Sequence, residues 1–274
     1  MPLWRGYRRE RIALDAMPHL RSNRVSTAKS IVLSDVRRYL IKGITLAHQV
    51  TILAAGMGTR LGQPFPKSLT PLDDGRTIMQ QQFENIDAHL PRARVHVVVG
   101  FKANMIMEAH PHALFVYNEQ FETTNTSKSL LRSLKLSTDG GVLWLNGDVV
   151  FAPEILARLK PFMDQERSFV AVNTANVGAE EVKYTVTAEG AIDQLSKMVQ
   201  GALGEAVGIN YISAKDKAVL IKRLQEVDDQ DYFERGIELA IEKDGINVAP
   251  VDISDLYAIE VDFAEDLIEA NTYL

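Results

Sequence analysis

Short apolar runs rich in β-branched residues alternate with segments of helix length from Gln49 onward. Within the longer segments, apolar residues recur three or four positions apart, which is the spacing of one helical face. This alternation predicts a parallel sheet covered by helices on both faces. The predicted central strands are residues 50–56, 95–100, 113–118 and 142–148, and the helices between them are residues 77–90, 101–110 and 126–136.

The pattern changes after Phe151. Apolar and polar residues alternate through residues 183–197 around Glu189-Gly190, and this pattern predicts a β-hairpin. We therefore predict one mixed α/β domain with a small, later β-rich insertion. The other predicted elements in this half are strands at 168–173, 208–213 and 257–262 and helices at 153–164, 215–227, 231–243 and 263–274.

Charge separates the first 48 residues from the rest. Residues 1–48 hold ten Lys and Arg against three Asp and Glu, a net charge of +7, so the remainder carries −13 of the total of −6. Two amphipathic segments there predict a basic helical extension, with Ser34 or Asp35 as an N-cap. We interpret it as a surface helix or an oligomer contact, as in a homodimer. The alternatives are a segment that contacts anionic partners, a transit peptide, or an extension without a role.

Composition limits the class of protein. The net charge of −6 argues against general nucleic-acid binding. The absence of cysteine excludes a disulfide framework, a thiolate metal site and a cysteine nucleophile. No apolar run reaches the ~20 residues of a membrane span, and the N-terminus lacks the pattern of a secretory signal. We therefore expect a cytoplasmic protein whose domain at residues 49–274 carries the chemistry.

A glycine-rich loop follows the first predicted strand, in the segment LAAGMGTRLGQPFPKSL at residues 53–69. Gly56 and Gly58 allow backbone conformations and close approaches that a Cβ atom would prevent. Successive backbone N–H groups in such a loop can form a concave anion site for triphosphate oxygens. Arg60 and Lys67 add cationic donors, so the segment predicts a site for a polyphosphate.

The order Ala-Ala-Gly-x-Gly-Thr-Arg followed by Pro-Lys resembles the signature of the MobA-like and sugar-nucleotide nucleotidyltransferase superfamily. The resemblance covers about residues 50–272 and is closest to the phosphocholine and 2-aminoethylphosphonate cytidylyltransferases. It implies an α/β fold of the GT-A-like type, with a Rossmann-like, mostly parallel mixed sheet. Leu61 occupies the position of the third glycine of a dinucleotide site, and no Walker A loop is present.

Two acidic segments complete the predicted site. Asp148 follows an apolar strand, where a carboxylate faces the crevice and could hold Mg²⁺. Taken alone, this aspartate would more simply cap the next helix, but its position two strands after the glycine-rich loop favours the metal ligand. Strand alternation in the segment AIEVDF places Glu260 and Asp262 on one face. The resemblance implies that Asp148 and Asp262 are metal ligands, with Glu260 in support.

The resemblance also implies the residues that bind the two substrates. In the loop these are Leu53, Ala54, Ala55, Gly56, Gly58 and Thr59, and in a later asparagine-rich turn they are Asn118, Thr124, Asn125 and Ser129. The alternative for the later turn is an ordinary helix N-cap. For the acceptor, they are Lys183 and Lys197 for its phosphate and Glu205 for a cationic head group; the alternatives are an exposed strand residue for Lys197 and a turn carboxylate for Glu205. Tyr211 and Tyr184 are the aromatic candidates if the head group is a quaternary ammonium, whereas a primary amine would favour carboxylates.

The implied reaction is transfer of a nucleoside monophosphate, expected to be CMP from CTP, to a small phosphorylated or phosphonylated metabolite such as phosphocholine or 2-aminoethylphosphonate. Pyrophosphate leaves, and Arg60 and Lys67 are the catalytic cations. A sugar-1-phosphate or inositol-1-phosphate nucleotidyltransferase is the alternative. A glycosyltransferase normally presents an Asp-x-Asp motif, which Asn146-Gly147-Asp148 lacks, and a non-catalytic nucleotide sensor would release no pyrophosphate.

Overall fold

A nine-stranded mixed sheet crosses the computed structural model, which describes residues 47–175, 177–178 and 181–274. The helices predicted in the basic extension lie outside the described residues. The strands are β1 (Gln49–Ala54), β2 (Arg94–Val99), β3 (Leu114–Tyr117), β4 (Val142–Asn146), β5 (Val149–Phe151), β6 (Phe169–Asn173), β7 (Lys183–Val186), β8 (Ile192–Ser196), β9 (Gly204–Ile212), β10 (Ala249–Asp252) and β11 (Ala258–Glu260).

Seven α-helices accompany these strands in the described ranges. None of them is long and apolar enough to cross a membrane. They are α1 (Ile78–His89), α2 (Ala103–Ala109), α3 (Thr126–Leu136), α4 (Glu154–Asp164), α5 (Ala214–Glu226), α6 (Phe233–Asp244) and α7 (Ala264–Asn271).

The strands of the main sheet lie in the order β10-β6-β9-β4-β1-β2-β3. The four predicted central strands are adjacent and parallel, with β1 between β2 and β4. Strand β9 runs antiparallel to both β4 and β6, and the β7-β8 hairpin is attached to it. The predicted Rossmann-like mixed sheet with a β-rich insertion is therefore confirmed. Strand β11, which lies in the predicted strand at 257–262, joins β5 in a separate two-stranded sheet.

Both faces of the sheet are buried by helices, as predicted. Val50 and Ile52 of β1 pack in one core cluster with residues of α1 and α4. Leu53 of the same strand packs on the opposite face with residues of α3, α5 and α6. Burial on both faces explains why β1 is mostly apolar and buried along its whole length instead of alternating between buried and exposed residues.

The starts of α3 and α6 are held side by side. The backbone N–H of Asn125 donates to the carbonyl of Asp229 at 2.8 Å, and that of Phe233 donates to the Thr126 hydroxyl at 3.2 Å. The Lys128 ammonium, almost completely buried, donates to the carbonyls of Leu224 and Val227. These contacts place the first turns of two helices beside the carboxyl ends of β1 and β4.

Candidate active site

The glycine-rich loop leaves β1 and contains two short 3-10 turns, at Thr59–Leu61 and Lys67–Leu69. Gly58 has a φ of +58°, and a Cβ atom there would lie 3.1 Å from the Lys67 Cβ, so both the backbone and the space favour glycine. A Cβ atom at Gly56 would meet no protein atom within 4 Å. The space beside Gly56 is therefore open, and Gly56 lies in the wall of a pocket.

A cleft opens at the carboxyl ends of β1 and β4 as two overlapping pockets of about 160 Å³ and 260 Å³. The narrower pocket lies over the loop and includes Leu53, Ala54, Gly56 and Gly58 in its wall. The side chain of Ala55 instead packs in the core. The wider pocket extends from Arg60 and Lys67 to residues of the hairpin and of α6. Both pockets share Gly58, Lys67, Thr126, Asn146, Asp148 and Glu260.

The Lys67 ammonium binds two carboxylates that are far apart in the sequence. It lies 3.0 Å from Asp148 and also forms a short ion pair with Asp262. Burial disfavours the charged lysine and is the largest single influence, but the two carboxylates together outweigh it and raise the pKa of Lys67. Arg60 reaches the second oxygen of Asp262 at 2.7 Å. Burial would raise the pKa of Asp262, but the two cations lower it overall.

Glu260 lies at the end of β11, beside this ion-pair cluster. The Asn146 amide donates to its Oε1 at 3.3 Å. Burial, followed by the charges of Asp148, Glu181 and Asp262, raises its pKa well above the ordinary value. A carboxyl group in such surroundings favours a bound proton or a nearby cation.

The carboxylates of the cleft supply some, but not all, of the ligands of a magnesium ion. Asp148 and Asp262 converge on one cation, the Lys67 ammonium, and hard carboxylate oxygens are the ligands that Mg²⁺ prefers. Among the described residues, no group of three or more His, Cys, Asp or Glu has the spacing of a complete metal site. Mg²⁺ usually takes one or two protein carboxylates and fills its remaining positions with water and phosphate oxygens. Asp148 and Asp262 would therefore be the protein ligands of such an ion, with water and phosphate oxygens in its other positions.

The asparagine-rich turn is mostly occupied with its own hydrogen bonds. The buried Asn118 amide donates to the hydroxyls of Thr124 and Ser129 at 3.1 and 3.0 Å. Asn125 caps α3 by accepting from the N–H of Thr126 at 2.8 Å. These four predicted residues shape the turn, as in the N-cap alternative. Thr126, which the prediction omitted, is the residue of this segment in the wall of both pockets.

The predicted acceptor residues do not all lie in the same place. Lys197 lines the wider pocket. Lys183 and Glu205 are paired across β7 and β9, and Glu205 accepts from the N–H of Gly178 at 2.7 Å. Burial, the largest influence, raises the pKa of Glu205. The hydrogen bond joins Gly178, in the segment after β6, to β9.

Tyr211 does not belong to the acceptor site, which corrects the prediction. Its ring is buried and stacks on Phe169 with centroids 5.6 Å apart. It pairs in register with Leu143, near the start of β4, whereas Asn146 in the cleft lies at the end of that strand. Tyr184, the other aromatic candidate, is buried in the core on the opposite face of the sheet.

Six residues in the described wall of the wider pocket were not predicted as site residues: Thr126, Asn146, Glu181, Val182, Tyr232 and Glu234. Glu234 lies in the first turn of α6, where an acidic residue is common because the helix dipole favours it. Nothing in its local pattern distinguishes a residue of the cleft from this ordinary role.

Residues 50–214 match the family model of the MobA-like NTP transferase domain. The chain belongs to this family. One curated relative is the CMP-5'-(3-aminopropyl)phosphonate synthase of Streptomyces rubellomurinus, which is 30% identical over 247 residues. The alignment covers 81% of this chain but only 38% of that protein.

Solved structures of nucleotidyltransferases share the fold of this family member. The inositol-1-phosphate CTP transferase from T. maritima superposes with a TM-score of 0.66 and 16% identity, covering 84% of this chain and 97% of that one. The CTP:phosphocholine cytidylyltransferase from Streptococcus pneumoniae gives 0.63 and 15%, covering 83% and 99%. At these identities the similarity shows the fold alone.

Proposed function

We propose that this nucleotidyltransferase uses CTP and Mg²⁺ to transfer CMP to a small phosphonylated or phosphorylated metabolite, with release of pyrophosphate. The observation that carries the proposal is the meeting of the glycine loop, Lys67, Asp148 and Asp262 in one cleft. The choice of CTP and of a phosphonate is supported by the name of the Streptomyces relative, which aligns with most of this chain.

The proposed chemistry requires alignment and charge neutralisation rather than a covalent intermediate. Backbone N–H groups around Gly56 and Gly58 receive the triphosphate, and Lys67 and Arg60 stabilise the charge that develops on the α-phosphate and the departing pyrophosphate. Asp148 and Asp262 would hold Mg²⁺, which would supply positive charge to neutralise the reacting phosphate oxygens. A phosphate or phosphonate oxygen is already ionised near neutral pH, so no general base is needed.

The test measures pyrophosphate release with CTP, UTP, ATP and GTP in all combinations with 3-aminopropylphosphonate, 2-aminoethylphosphonate, phosphocholine, myo-inositol-1-phosphate and glucose-1-phosphate. We expect the highest kcat/KM with CTP and a phosphonate, and loss of turnover when Mg²⁺ is chelated. A preference for glucose-1-phosphate, or for another nucleotide, would contradict the proposed substrates. No pyrophosphate release from any pair would contradict the proposed function.

A further inference from the structure

Glu234 is a buried acid in the wall of the cleft. It is 8% exposed, begins α6 and lies in the wider pocket together with Glu181, Lys197 and Tyr232. Its Oε2 has no hydrogen-bond partner among the residues that the structure describes. An unsatisfied buried carboxylate oxygen is costly, so it needs either a proton or a ligand that donates to it.

The charges around the wider pocket favour a cationic ligand at this end. Its described wall contains five carboxylates against three basic side chains. Arg60 and Lys67 are engaged by the aspartates of the proposed metal site. Lys197 is the described cation that acts on both Glu181 and Glu234, and its ammonium lies 5.2 Å from the centre of the Tyr232 ring. When Glu181 and Glu234 are both ionised, the single charge of Lys197 balances only one of them.

The protonation of Glu234 in the free protein is governed by its burial. Burial raises its pKa to about 7, although its own backbone N–H and Lys197 act in the opposite direction. A ligand ammonium beside the carboxyl group would favour its ionised form, since a nearby opposite charge stabilises a carboxylate.

We propose that Glu234 binds the ammonium group of an acceptor that carries a primary amine at the end opposite its phosphonate or phosphate. The acceptor class is then the ω-aminoalkyl phosphonates and phosphates, and this inference rests on the proposed function. Asp262 and Glu234 line the same pocket, so the proposed metal site and the proposed amine site belong to one cleft. A sugar hydroxyl would leave the negative charge uncompensated, and a trimethylammonium has no N–H to donate to Oε2.

The experiment compares 3-aminopropylphosphonate with propylphosphonate, which has the same chain without the amine. Wild-type protein should prefer the amine, and Glu234→Gln should raise the KM for 3-aminopropylphosphonate by about 10- to 100-fold, the loss expected for a hydrogen bond between charged groups. The KM for propylphosphonate and for CTP should change little. Glu234→Asp should retain part of the preference, and Glu189→Gln, at an exposed position of the β7-β8 turn, is the matched control.

Calorimetric binding of the same two phosphonates separates the inference from the proposed function. The inference is supported if the wild-type protein binds the amine more tightly than propylphosphonate and Glu234→Gln abolishes this preference. This conclusion holds even if the wild-type protein releases no pyrophosphate. In that case the proposed function alone fails. Equal losses for both phosphonates would assign Glu234 to the fold. An unchanged preference in Glu234→Gln, or no preference in the wild-type protein, would overturn the inference.

Discussion

Asp148 and Asp262 allow a direct test of the proposed metal site, because both reach the same ammonium although 114 residues separate them in the sequence. Replacing either with Asn keeps the size of the side chain and removes the charge that Mg²⁺ requires. Each single variant is expected to fold, to need more Mg²⁺ and to lose about 10²-fold or more in kcat. The double variant should lose far less than the product of the two losses, because both changes damage one site.

The structure sets the size of the accompanying stability change. Lys67 and Asp148 are 11% and 21% exposed, so their ion pair is only weakly screened by solvent. Losing a hydrogen bond to a charged group costs about 1.5–3 kcal/mol, and the remaining aspartate keeps Lys67 paired. We therefore expect each single variant to be destabilised toward the lower end of this range, as measured by denaturant unfolding without Mg²⁺.

The assay is pyrophosphate release in a Mg²⁺ titration with wild-type protein, the two single variants and the double variant. A coupling of about 1–3 kcal/mol between the two sites is expected for residues that share one partner. Asp255→Asn is a suitable control, since its carboxylate pairs with Arg158 outside the cleft. Fully multiplicative losses with an unchanged Mg²⁺ requirement would refute a common metal site.

Lys67→Ala should lower kcat by about 10²-fold while the protein stays folded, and unchanged turnover at saturating Mg²⁺ would remove this lysine from the mechanism. Gly56→Ala should abolish nucleotide binding without a loss of thermal stability, whereas Gly58→Ala should also lower the free energy of unfolding by about 1–3 kcal/mol, because its φ is positive. The pKa of Glu234 rises from 4.5 to about 7 on folding, so the free energy of unfolding should decrease by up to about 3 kcal/mol as pH rises through this window. Glu234→Gln should lack this decrease when unfolding is measured across the same pH range. A chain that begins at Ala47 should retain turnover, because every described residue of the cleft lies after it; a folded but inactive product would contradict this.

The sequence alone determined the order and type of most elements. The mostly apolar strands β1 and β4 do not alternate between apolar and polar residues, so they need burial on both faces, which a sheet covered by helices provides. Glu189-Gly190 marked the turn of the hairpin, and Gly190 has the positive φ that such turns require. The glycine loop with Lys67 also indicated a phosphate site, because these residue types serve that purpose through local backbone geometry.

Only the tertiary structure decided which distant side chains share the cleft. Glu205 and Tyr211 both belong to β9, yet the tyrosine lies in the core while the glutamate holds the segment after β6. Strand alternation gives the face of the sheet on which a residue lies. It does not give which side chains from other strands and helices will lie beside that residue. Glu234 enters the site through the packing of α6 beside α3, a contact between segments more than 100 residues apart. Such pairings depend on the geometry of the whole sheet, since no local pattern records where two helices will begin in relation to each other.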